Sequence, residues 1–92
     1  MTKFKRLDKY IVDLDNMNLV NTDKGTVYKF DFDEMVVRKI TIQSKAASPI
    51  RYDENTDSIM VWKQRRWQAI EEGQKAIMYM FNARVESTLL GN

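Results

Sequence analysis

The chain has 92 residues, no cysteine and no histidine, with 43% hydrophobic and 30% charged residues and a formal net charge of +2. That length admits one domain with a modest core, and the composition is ordinary for a folded soluble protein. Without cysteine there are no disulfides or thiolate metal sites, and without histidine the commonest general base and metal ligand is missing.

In chain order, Lys3, Lys5, Arg6 and Lys9 against Asp8 leave residues 1–9 at +3 and the remainder at −1. This reads as a basic N-terminal arm that can meet phosphates or an acidic protein surface, although a solvated terminus explains it more simply. Phe4 and Leu7 are apolar enough to anchor the arm on a neighbouring subunit. No apolar signal region follows these charges, so synthesis in the cytoplasm is expected. No apolar run approaches the roughly 20 residues of a membrane span.

Residues 10–70 read as β-rich. A strand is expected over 10–14, then two strands, 17–20 and 26–32, around the turn Asn21-Thr22-Asp23-Lys24-Gly25, where Gly25 can supply a left-handed residue. Tyr28, Phe30 and Phe32 alternate with Lys29 and Asp31, the period of a half-buried strand with its aromatic rings on one side. Over 35–43 the β-branched Val36, Val37, Ile40, Thr41 and Ile42 favour a strand. A helix beginning at Asp33-Glu34 is the competing reading. Residues 44–49 read as a small, flexible linker ending at Pro49.

Residues 49–70 carry the only proline, both tryptophans and the clearest turn chemistry. A short strand at 50–52, a polar turn with Asp53, Asn55 and Asp57, and a second strand at 58–62 are followed by a basic bend and a return. Tyr52, Asp53, Thr56, Ile59, Val61, Trp62, Trp67 and Ile70 resemble a β-hairpin that recurs in tail-fibre and other virion proteins of bacteriophages. The resemblance covers about a quarter of the chain. It departs from that pattern at the bend, where Lys63-Gln64 replace the usual Asn-Gly or Asp-Gly. A type I′ turn wants positive φ at both central residues, so a longer loop is expected. In this reading Trp62 and Trp67 are interior packing residues.

From Gln74 onward Ile77, Met78, Phe81, Val85 and Leu89 recur every three or four residues, the stripe of an amphipathic helix. Glu71 and Glu72 near its start and Arg84 near its end suit the helix dipole. Met78, Tyr79 and Met80 widen the apolar surface, and with Leu89 and Leu90 they join Phe4 and Leu7 as candidate interface residues.

No catalytic constellation emerges. Asp13, Asp15, Asp31, Asp33 and Glu34 are numerous, but a calcium loop from Asp13 would place Met17 and Asn18 where an oxygen ligand and a glycine are required. The serines have no histidine base and no Gly-x-Ser-x-Gly turn, and the three glycines form no phosphate cradle. No cofactor, no metal and no small-molecule substrate is expected. Lys63, Arg65 and Arg66 between Trp62 and Trp67 interleave cations with aromatic faces, which suits nucleic acid or an acidic partner, and Tyr28 and Phe30 could also stack bases. Strongly basic balance, the usual companion of that role, is missing.

The expected fold is therefore α+β, a single domain with a small antiparallel sheet of hairpins over 10–70 and one C-terminal amphipathic helix over 71–90. With the resemblance, this implies a non-enzymatic assembly protein of a bacteriophage virion, in a tail, fibre-attachment or head-accessory position. Its partners would be other virion proteins and copies of itself, as a homo-oligomer, with no membrane. A small cytosolic inhibitor or adaptor of a host protein is the first alternative and a nucleic-acid-binding module the second.

Overall fold

A computed structural model describes residues 4–40 and 46–89. Eight antiparallel strands follow one another as a simple meander: β1 (Phe4–Leu7), β2 (Tyr10–Asp13), β3 (Asn18–Asn21), β4 (Thr26–Asp31), β5 (Val36–Lys39), β6 (Ala47–Asp53), β7 (Ser58–Lys63) and β8 (Arg66–Ala69). Among the described residues one helix, α1 (Gln74–Leu89), completes the α+β fold read from the sequence.

Four of the connections repeat one piece of chemistry. Asp13, Asn21, Asp31 and Asp53 each end a strand, and each side-chain oxygen accepts a backbone N–H two residues on, at 3.1, 3.0, 3.0 and 3.4 Å. Four residues after each stands a left-handed residue: Met17, Gly25, Met35 and Asp57, with φ of 54°, 70°, 56° and 51°. The strand then resumes opposite its starting point, as in Asp13↔Asn18 and Asp53↔Ser58. Short Asx side chains fold back on the loop and fix the register of each hairpin.

Several expected boundaries move, each for a local reason. The expected basic arm is not free along its length, because Phe4–Leu7 pairs with β2 from Phe4↔Asp13 to Leu7↔Tyr10. Asp8, at φ 58°, turns the chain back there, a conformation Asp tolerates better than most residues. Part of the expected linker is strand, since β6 begins at Ala47 and Val36 faces Pro49. Pro49 has no N–H to give, and the β6–β7 ladder starts one residue later, at Ile50↔Val61. Residues 36–39 are strand rather than helix, while Thr41, Ile42 and Gln43 lie outside the described residues. The basic bend closes as a two-residue turn after all: Lys63 faces Arg66, and both Gln64 and Arg65 have positive φ, 54° and 62°.

The helix lies against both β7 and β2. In a flat sheet those strands would stand about 24 Å apart at about 4.8 Å per step. That is twice the width of a helix, so the sheet curls into a trough with α1 along its floor. Val12, Leu19, Phe30, Val37, Ile50, Ile59 and Val61 point into the trough and meet Ala76, Ile77 and Met80. Gly73, at φ 79°, breaks the chain direction just before the helix. The Gln74 side chain then accepts from the Ile59 N–H (3.2 Å) and donates to the Ile59 carbonyl (2.7 Å), doing for β7 what β8 does further along.

The helix ends differ from expectation. Neither its first turn is acidic nor its last turn basic. Glu72 bonds the Asn21 side-chain amide instead and pairs with Lys24 at 3.4 Å, while Arg84 reaches Asp33 in the β4–β5 turn at 2.5 Å. Tertiary partners have taken the charges the dipole would have used. Phe81 packs edge-on against Phe32 and stacks on Tyr52, but Val85 and Leu89, expected on the core stripe, are exposed because they lie on the side of the helix turned away from Ala76, Ile77 and Met80.

Candidate functional site

Period-two geometry sorts the side chains onto two faces, and the registers say which. Val12, Leu19, Phe30, Val37, Ile50, Ile59 and Val61 share the concave face with the helix. Their alternates, including Ile11, Val20, Lys29, Arg38, Arg51, Met60, Trp62 and Trp67, form the convex face, over which no element packs among the described residues.

Trp62 and Trp67 face each other directly across β7 and β8, with ring centroids 5.5 Å apart in an edge-to-face pair. They are not interior. Trp62 is 41% exposed and Trp67 half-buried, because Val61, the neighbour of Trp62, already occupies the inward position. The Arg51 guanidinium lies 5.1 Å from the Trp67 ring centroid, a cation–π contact that reaches from β6 across β7 to β8. Lys29 and Arg38 stand directly opposite one another on β4 and β5, two strands from the indoles. Asp31, at the end of β4, is held below the usual carboxylate range, first by the Glu34 amide, then by that of Asp33 and by Arg38 and Lys29 nearby; burial opposes this.

The cations singled out in the sequence fall elsewhere. Lys63 and Arg66 are an adjacent cross-strand pair whose side chains alternate with the tryptophans, and so emerge on the concave side. Arg65 sits at the exposed tip of the turn. Phe30 is buried in the core and Tyr28 half-buried on that inner face, so neither ring lies on the open face where bases could stack.

On the concave side, between the start of the helix and strands β2 to β8, lies a cavity of about 780 Å³. Leu19, Phe30, Val37, Val61 and Ile77 make its apolar floor, and the exposed Lys39, Lys63 and Arg66 stand at its mouth. Burial and the nearby Glu72 carboxylate push the Tyr10 phenol up on one wall. Among the described residues no three carboxylates converge on a metal-sized site.

The candidate interface residues divide. Met80 is fully buried, and Leu7 and Met78 pack against the core, so none of the three is a free contact. Met80 belongs to the core because Ala76, Ile77 and Met80 share the helix face pressed into the trough. Phe4 (66% exposed), Tyr79 and Leu89 (80% exposed) are open to solvent, and Val85 joins Leu89 one turn away. Leu90 lies outside the described residues. The signal that would have found Trp62 as a surface residue is the pairing register, which a continuous run Ile59-Met60-Val61-Trp62 does not disclose. Compared with protein-family models, with curated proteins and with solved structures, the chain finds no match.

Proposed function

We propose that this protein is a non-enzymatic assembly component of a bacteriophage virion, acting through packed protein surfaces in a tail, fibre-attachment or head-accessory position. The observation that carries the reading is the exposed apolar pair Val85 and Leu89 on the outer side of a helix whose inner side is already satisfied. Large apolar groups held in water on an ordered element are a reason to look for a docking partner. Support also comes from the sheet, whose edge strands β1 and β8 are each bonded on one side only among the described residues, with Phe4 exposed on β1. Free edges accept further strands. The hairpin at 49–70 adds the likeness to virion proteins that suggests where such docking takes place.

Copies of the chain around a symmetry axis and neighbouring virion proteins are the partners this implies. The test is the protein content of purified particles: recovery at a fixed ratio to the major structural proteins is expected. A strictly monomeric chain at high concentration, absent from particles and recovered from cells with a single host enzyme, would replace this reading with that of a host-directed inhibitor.

A further inference from the structure

We infer that the convex face of the sheet takes single-stranded nucleic acid, with Trp62 and Trp67 as the stacking platform and Arg51, Arg38 and Lys29 as phosphate contacts. This goes beyond the assembly reading and uses a surface that reading leaves open.

The charge arrangement is the first reason. Lys29, Arg38 and Arg51 occupy interior strand positions on this face, whereas its acids, Asp13, Asp31 and Asp53, stand at strand ends. Each of those acids directs a carboxylate oxygen to the amides of its own turn. Cations therefore face outward across the middle of the sheet while the carboxylates are turned toward its rim. Lys29 and Arg38 form a like-charged pair directly across β4 and β5, an arrangement that costs stability in a sheet; Asp31 nearby offsets part of that cost, and a polyanion relieves the rest.

Ring geometry is the second reason. An exposed indole edge-on to a second indole, with a guanidinium over that second ring, presents flat surfaces to a base and a cation to the adjoining phosphate. The Arg51–Met60–Ala69 row lies on one side of the indole row and Lys29–Arg38 on the other, so a strand crossing the indoles meets positive charge in both directions. Stacking on every base regardless of identity makes the expected binding sequence-tolerant and dependent on unpaired bases. An acidic protein would use the same cations without needing the indoles, which is why the tryptophans decide between the two.

The experiment is titration of the full chain with oligothymidylate and oligouridylate at low salt, following tryptophan fluorescence, with duplex DNA and polyglutamate as comparisons. Expected are quenching by the single strands, affinity falling linearly on a log–log plot against salt, and a loss of at least about fivefold in Trp62→Ala with unchanged circular dichroism. The double variant Lys29→Gln/Arg38→Gln should bind more weakly with a shallower salt slope, while Lys63→Gln/Arg66→Gln on the other face keeps most of the affinity. No quenching at low salt overturns the inference. So does equal binding of duplex or polyglutamate, or loss of binding confined to the Lys63/Arg66 variant.

Discussion

At the scale of single residues, the turn between β7 and β8 holds two side chains in a conformation that favours glycine and asparagine. Gln64 and Arg65 both have positive φ, and the left-handed region costs an ordinary L-residue about 1 kcal/mol or more. Gln64→Asn combined with Arg65→Gly should stabilise the fold by about 1–2 kcal/mol, read as a higher urea midpoint at unchanged slope. Gly73 is the opposite case. It has φ 79°, and a Cβ there would meet the Tyr10 ring at 3.3 Å and Leu19 at 3.4 Å. Gly73→Ala should therefore lower the melting temperature by roughly 5–10 °C, from about 1–2 kcal/mol of lost stability.

Ionisation acts at the same scale. The Tyr52 phenol is raised, chiefly by its 2.6 Å hydrogen bond to Asp57, and that of Tyr10 by burial and Glu72. A raised acid binds its proton more tightly when folded. This contribution is thus intact below about pH 10 and lost as pH climbs through the folded value. Urea unfolding at pH 8 and pH 11 should show a smaller loss of stability for Tyr52→Phe than for the natural chain. Asp31, held low by turn amides, runs the other way, its contribution being present above its ordinary range near pH 4 and lost on acidification.

Among elements, the polar tie between β7 and the start of α1 is the Gln74 side chain. Gln74 serves both backbone groups of Ile59, whose carbonyl also accepts from the Ile70 N–H at 3.3 Å. Gln74→Leu leaves the Ile59 N–H without that partner and should cost about 1–3 kcal/mol, with the amide of Ile59 losing hydrogen-exchange protection more than those of β3 or β4. The hairpin over 17–32 was legible in advance because an Asx residue, a glycine and clean alternation coincide in a short span. The similar loops at Asp13 and Asp31 were less plain, since Met17 and Met35 stand where glycine would have marked the left-handed position, whereas Asp53, Asn55 and Asp57 announced theirs. The N-terminal strand was missed for a similar reason. Phe4-Lys5-Arg6-Leu7 has too little alternation to announce itself, and only the neighbouring β2 supplies its hydrogen bonds.

For the whole molecule, the trough that grips the helix assigns inside and outside. Ile59 is fully buried and Trp62, three residues along the same strand, is not. Ile59→Ala should cost about 2–5 kcal/mol. Trp62→Ala should cost only about 0.5–1.5 kcal/mol, the worth of its edge contact with Trp67, and denaturant titrations of the two variants measure the contrast. A larger loss at Trp62 than at Ile59 would return the indoles to the interior.

Local chemistry in the sequence determined the strands, the sharp Asx turns and a terminal helix, because backbone preference and side-chain period act over a few neighbouring residues. Which face of the ribbon the helix would cover was left to the tertiary structure. Met60 and Trp62 are as apolar as Ile59 and Val61, so the run carries no inside–outside signal of its own. Only the curl of eight strands around one helix turned one pair inward and left the other, with Arg51 beside it, facing water.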